Sequence, residues 1–261
     1  MRLTPKTVLY TLMALGILLM AVGSILGAMG GEEPVAPSVT DTGTVPEETP
    51  DSTPVEVTAE AKEAFYANVA FLGDSVSLKL RNYAADKGRI AEAKFLVAGS
   101  FGVSHGAKGT LNISYQGQEL RPEDAIQLSG AQRVFIMLGI NDVALYGVDK
   151  TMENWSTLLG NIREKNPTVE VYIQSIPPIA KGGEKNGLTN ALVNKYNERL
   201  QLFCAEEGLM FVDTHKVLAD EEGYLKKEYC SDNFIHLTDA GCEAWVEALY
   251  ETASQVLRGI K

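Results

Sequence analysis

Residues 69–80 read VAFLGDSVSLKL. The four apolar residues at 69–72 are short enough for a buried strand, whereas Val76, Leu80 and Tyr83 recur at helical spacing once Gly73-Asp74-Ser75 has passed. The period changes at the triplet, so Ser75 sits on a strand-to-helix turn. In an α/β protein such a turn holds a hydroxyl at the carboxyl edge of the sheet, beside the unpaired N–H groups of a helix's first turn. The plainer role for Asp74 or Ser75 is to cap that helix, since both residue types are ordinary N-caps.

Outward from this stretch, strand-like and helix-like segments alternate. Further strands are expected at 95–98, 134–138, 169–175 and 209–212, all apolar or β-branched and bounded by Gly, Asn, Asp or Pro. Amphipathic helices are expected at 75–87, 151–165, 189–207 and 238–260, and residues 110–130 read as a short hairpin insertion. The alternation implies a three-layer, flavodoxin-like α/β sandwich around a central, mostly parallel five-stranded sheet.

That domain is expected to occupy residues 61–261. Residues 8–29 carry no charge over 22 positions, enough helix to cross a bilayer, with Arg2 and Lys6 before them and no Lys or Arg after them until Lys62. The charge asymmetry places the amino terminus in the cytoplasm and the rest outside, as a transmembrane anchor within residues 1–30. A cleaved signal peptide ending near Ala28-Met29-Gly30 is the alternative, and both readings export the chain. Residues 31–60 hold five prolines, eight acids and no base, the composition of a disordered tether.

The protein's formal net charge is -11 over 261 residues. Leaving out the tether and the bases before it, 26 acidic and 21 basic residues remain, with no basic patch to neutralise phosphates, so no nucleic-acid partner is expected.

Four polar clusters fall at expected carboxyl ends of strands, where α/β proteins place their chemistry: Gly73-Asp74-Ser75, Gly99-Ser100-Phe101-Gly102, Gly139-Ile140-Asn141-Asp142, and residues 231–236, SDNFIH. In this order they resemble the motif blocks of the SGNH (GDSL-type) hydrolases, and the resemblance spans residues 66–258. It implies Ser75 as nucleophile and His236 as its base. It also implies an oxyanion hole formed by the Ser75 amide, the Gly102 amide (Gly99 in reserve) and the Asn141 side chain.

The residues themselves point the same way. A serine hydroxyl needs a base within hydrogen-bond reach, and the chain has three histidines, His105, His215 and His236. His236 stands before the start of the last helix, His215 reads as an exposed loop residue, and His105 is near enough to the second block for a substrate contact. An Asn amide is a neutral donor that stabilises an oxyanion without competing for the proton. Asp74 and Asp142 are expected to fix loop geometry through backbone hydrogen bonds.

The third triad member departs from the family spacing, because position 233, three residues before His236, is Asn, and the carboxylate, Asp232, lies four before it. A carboxylate offsets the imidazolium charge and an amide does not, so Asp232 is expected to orient His236 through a bulged loop. Asn233 or a backbone carbonyl is the alternative.

Three cysteines with no C-x-x-C imply no metal, and no cofactor is expected. Free buried thiols are expected at Cys204, Cys230 and Cys242, although a Cys230–Cys242 disulfide would bracket the His236 loop. Trp155 and Trp245 are expected in the core rather than as sugar platforms. With the N-terminal segment read as an export anchor, the resemblance implies a membrane-tethered, extracytoplasmic serine esterase acting on O-acetyl groups of cell-envelope carbohydrate, with a lipid or small ester as other substrates. An acetyltransferase with the same triad and a non-catalytic envelope-binding module are the competing readings.

Overall fold

The structure is a computed structural model that describes residues 56–260. The expected anchor and nearly all of the expected tether lie outside the described residues. Among the described residues, no helix is long and apolar enough to cross a membrane.

The core is a five-stranded parallel sheet in the order β2-β1-β5-β6-β7. It comprises β1 (Val69–Gly73), β2 (Lys94–Val97), β5 (Arg133–Met137), β6 (Glu170–Gln174) and β7 (Met210–Val212). Ala70 and Phe71 pair with Val134 and Phe135, and these with Val171 and Tyr172, which aligns the strands so that their loops emerge together at one edge. Every residue of β1 is buried, as the unbroken apolar run predicts for a strand covered on both faces.

One face of the sheet carries α1 (Ala59–Tyr66), α2 (Ser75–Lys87), α7 (Thr214–Leu218) and α8 (Asp239–Leu257), which pack among themselves. The other carries α3 (Val103–Lys108), α4 (Pro122–Ser129), α5 (Val143–Lys165) and α6 (Asn190–Glu207). Trp155 and Trp245 are fully buried in the core, as expected.

The sequence reading needs three corrections here. Helix α1 starts at Ala59, inside the stretch assigned to the tether; Thr58 caps it by accepting from the Ala61 amide at 3.2 Å, and Phe65 and Tyr66 anchor it in the core. Residues 110–130 are a hairpin only in β3 (Ile113–Tyr115) and β4 (Gln118–Leu120); α4 follows, with Pro122 in its first turn and Glu123 and Asp124 behind it. Helix α5 begins at Val143 rather than 151, and Gly147, at φ 74°, interrupts it.

Two buried devices aim the loop after β5. Trp155 Nε1 donates to the Tyr196 hydroxyl at 2.7 Å, and that hydroxyl donates to the Leu138 carbonyl at 2.7 Å. Gly139 lies against the same ring at φ 127°, where a Cβ would fall 2.2 Å from the Tyr196 oxygen. A side chain there is excluded twice, by backbone and by space, and this delivers Asn141 and Asp142 to the sheet edge.

Candidate active site

Ser75 is the first residue of α2. Its neighbour Asp74 caps the helix by accepting from the Val76 amide at 2.9 Å, so capping and presentation of the hydroxyl are divided between adjacent residues. Ser75 Oγ lies 3.0 Å from His236 Nε2, although 161 positions separate the two in sequence. His236 Nδ1 lies 2.6 Å from Asp232 Oδ2. Because Nδ1 faces a carboxylate, it carries the ring proton, which leaves Nε2 to accept from the serine.

Asp232 also builds the loop. Its Oδ1 accepts from the amides of Phe234 (2.9 Å), Ile235 (3.1 Å) and His236 (3.2 Å), folding the chain back so that the imidazole returns to the other carboxylate oxygen. Burial pushes the Asp232 carboxyl up, but the His236 ring and the Phe234 and His236 amides outweigh it and hold the group below its ordinary value. The extra residue relative to family spacing is taken up at Asn233, which adopts the left-handed region at φ 57°. Asn233 makes no contact with His236 Nδ1; its carbonyl instead lies over Gly183, where a Cβ would be 2.3 Å away.

The second and third blocks meet at Gly102. Asp142, fully buried, accepts from the amides of Val103 (2.8 Å) and Ser104 (3.0 Å), and a Cβ on Gly102 would stand 2.6 Å from that carboxylate. Gly102 is therefore obligatory, whereas Gly99 is exposed and open. Asn141 Nδ2 reaches Asp74 Oδ2 at 3.2 Å and the Phe101 carbonyl at 3.1 Å. Burial raises the Asp74 carboxyl to about 7, opposed by the Val76 and Ser77 amides and by His236, and reinforced by Asp142. Asp74 and Asp142 thus both bind backbone amides.

His105 sits beside the second block, and His215 differs from expectation. The Gly102 amide donates to His105 Nδ1 at 3.0 Å, so this ring contacts the second block's own backbone. His215 is not an exposed loop residue. It lies in the first turn of α7, half-buried, with Nδ1 3.2 Å from the Ile176 carbonyl and 3.3 Å from Asn197 Nδ2. Burial lowers its pKa, against the pull of the Ile176 carbonyl. It belongs to the packing of β6 and β7.

All three cysteines are free; Cys204 and Cys242 are buried, and their thiols are pushed up to about 12 by burial, while Cys230 is only partly covered. Two further features escaped the sequence reading. Leu145 and Tyr146, one turn beyond Asn141, are 74% and 45% exposed, and Lys108 Nζ lies 5.4 Å from the Tyr146 ring centre. Lys185 Nζ lies 3.9 Å from the ring centre of Phe234, within the His236 loop. A cavity of about 650 Å³ lined by Val171, Tyr172, Leu209 and Met210 opens at the amino ends of β6 and β7, the edge opposite the serine.

A serine–imidazole–carboxylate relay on this fold agrees with the sequence comparison, in which the profile of the GDSL-like Lipase/Acylhydrolase family matches residues 71–244. The chain belongs to that family. Membership covers every residue of the relay and the Gly102–Asn141 block. A search of curated protein sequences finds no match. Among solved structures, a GDSL-like lipase from Bacteroides thetaiotaomicron is similar, with a TM-score of 0.59 at 16% identity over 77% of this chain and 93% of that one. A carbohydrate esterase family 3 protein from Talaromyces cellulolyticus gives 0.53 at 14% over 74% and 99%. The C-terminal catalytic domain of a Streptococcus pneumoniae peptidoglycan O-acetyltransferase gives 0.51 at 16% over 74% and 94%. At these identities the likeness is one of fold.

Proposed function

We propose that this GDSL-family protein is an extracytoplasmic serine esterase that removes O-acetyl groups from cell-envelope carbohydrate through an acyl-enzyme. The observation that carries the reading is the unbroken relay from Ser75 Oγ through His236 to Asp232. As Ser75 Oγ attacks the ester carbonyl, its proton passes to His236 Nε2, and Asp232 balances the imidazolium. The negative charge on the carbonyl oxygen is met by the amides of Ser75 and Gly102 and by Asn141 Nδ2 once it releases one of its two present acceptors, Asp74 Oδ2 or the Phe101 carbonyl. Collapse breaks the ester C–O bond, and His236 returns its proton to the departing sugar oxygen. Water, deprotonated by His236, then attacks the acyl-serine and releases acetate. If a second hydroxyl takes the place of water, the same steps perform acetyl transfer.

An envelope substrate is supported by three features. The uncharged segment at 8–29 and the acidic stretch after it suit export and tethering. The side chains of His236 and Asp232 are 39% and 34% exposed, which suits a polymer laid across an open edge. Exposed Leu145 and Tyr146, one turn beyond Asn141, border that edge with apolar surface suited to the flat face of a sugar.

The test is acetate release from acetylated wall polymers, alongside p-nitrophenyl acetate hydrolysis, by wild type and Ser75→Ala. Wild type should release acetate and the variant should fall by a factor of about 10³ or more. Absence of both activities in folded wild-type protein sinks the esterase reading and leaves a binding module. Hydrolysis of the small ester alone removes only the polymer.

A further inference from the structure

The donor that the proposed chemistry needs from Gly102 is already in use. Its N–H points at His105 Nδ1, 3.0 Å away, and because a backbone N–H can only donate, that nitrogen is unprotonated and accepts. The backbone here cannot turn aside. Gly102 is held from one side by the Asp142 carboxylate 2.6 Å from where a Cβ would be, and from the other by its carbonyl, which accepts from His105 N at 3.1 Å and Gly106 N at 3.2 Å. The imidazole is the mobile member of the pair: it is half-exposed, and its ring leans on Phe101 at 6.0 Å between centres.

We propose that His105 is the positioning residue of the oxyanion hole, an internal acceptor that holds the Gly102 amide until charge develops on the reacting oxygen. This rests on the esterase reading above, in which Gly102 is an oxyanion donor. The exchange is selective for physical reasons. A neutral ester carbonyl offers the amide no better bond than the imidazole does, so a bound substrate leaves the contact intact. An alkoxide offers a charge-assisted bond, roughly twice as strong, and displaces the imidazole from the amide. The Gly102 donor therefore strengthens binding in the transition state and not in the ground state, the condition under which a contact raises turnover rather than merely tightening the Michaelis complex.

His105→Ala removes the competing acceptor and lets the amide bond an uncharged oxygen. Saturation kinetics of Ser75 inactivation by a small alkyl fluorophosphonate read this in a single turnover. His105→Ala should lower KI about fivefold, the value of one neutral hydrogen bond of about 1 kcal/mol, with kinact within about twofold. Gln at the same position can accept from the amide at the helix start, so His105→Gln should return KI to the wild-type value. In wild type, the ¹⁵N resonance of His105 Nδ1 should lose its hydrogen-bond shift once Ser75 carries the anionic tetrahedral adduct of a trifluoromethyl ketone. If wild type is inactivated normally but KI is unchanged or raised in His105→Ala, or the Nδ1 resonance ignores the adduct, the assignment is overturned and His105 only braces the start of α3. If fluorophosphonate does not label wild type at all, the esterase reading itself fails.

Discussion

The two halves of the site are built in opposite ways. The serine half is buried and held by carboxyl groups sealed under the sheet edge: Asp74 and Asp142, 1% and 0% exposed, organise the starts of α2 and α3 through their backbone amides. The histidine half is an open loop whose shape depends on one partly exposed carboxylate accepting from three loop amides, the Cys230 thiol and the His236 ring. The serine half gains its precision from packing, and a substitution there disturbs the core. The histidine half gains its precision from local hydrogen bonding, and it can be dismantled while the fold stands.

The sharpest way to break this comparison is at Asp232. Asp232→Asn keeps the size of the side chain and its amide contacts but turns the His236 tautomer the wrong way and leaves the imidazolium unbalanced. Turnover should fall on the order of 10³–10⁴-fold while the melting temperature changes little. Asn233→Ala should cost only several-fold, through strain at φ 57°. Steady-state kinetics with thermal melts on both variants decide the matter, and a larger loss at Asn233 would return the orienting role to the family spacing.

Asn141→Ala examines the serine half. It removes one proposed oxyanion donor and also leaves Asp74 Oδ2 and the Phe101 carbonyl short of a partner. Turnover should drop about 10²–10³-fold with KM little changed, and stability should fall by about 1–3 kcal/mol. Asp232→Asn and Asn141→Ala thus differ in kind: one loses rate alone, the other rate and stability together. Equal melting temperatures would erase the distinction between the halves.

The sequence was informative to different degrees in the same two places. The change of period at Gly73-Asp74-Ser75 located β1, α2 and the serine, because a buried strand and an amphipathic helix differ in spacing whatever surrounds them. The order of the four blocks located the sheet edge. The partners of Gly102 could not be read, since a glycine pressed against Asp142, 40 positions away, looks in sequence like any turn glycine. His215 was misplaced because its burial comes from Asn197 and Ile176, contacts that follow the packing of α6 and not local pattern. The start of α4 was legible and overlooked: Pro122 followed by Glu123 and Asp124 is a helix-start signature. Helix α1 was missed because acidic, proline-containing composition outweighed the local cap at Thr58.

The last expected effect, in stability rather than rate, concerns the buried Asp74 carboxyl itself. The Asp74 carboxyl titrates near 3.9 in an unfolded chain and is raised by burial to about 7 in the fold. Between those values the native state binds more protons than the unfolded state, so this group's contribution makes stability decline as pH rises from about 4 to about 7. Asp74→Asn removes the titration. Its oxygen still accepts from Val76, but its amide faces Asn141 Nδ2, donor against donor. The variant should therefore be less stable than wild type at pH 5 and recover on the order of 2–3 kcal/mol relative to it by pH 8, measured by urea unfolding at both values. Other titrating groups are common to both proteins and cancel in the difference. Parallel pH profiles would mean that Asp74 is ionised throughout, its charge carried by the Val76 and Ser77 amides and by His236. The serine half would then hold a fixed anion beneath the nucleophile, and its contribution to catalysis would be electrostatic support for the imidazolium rather than placement of Asn141 alone.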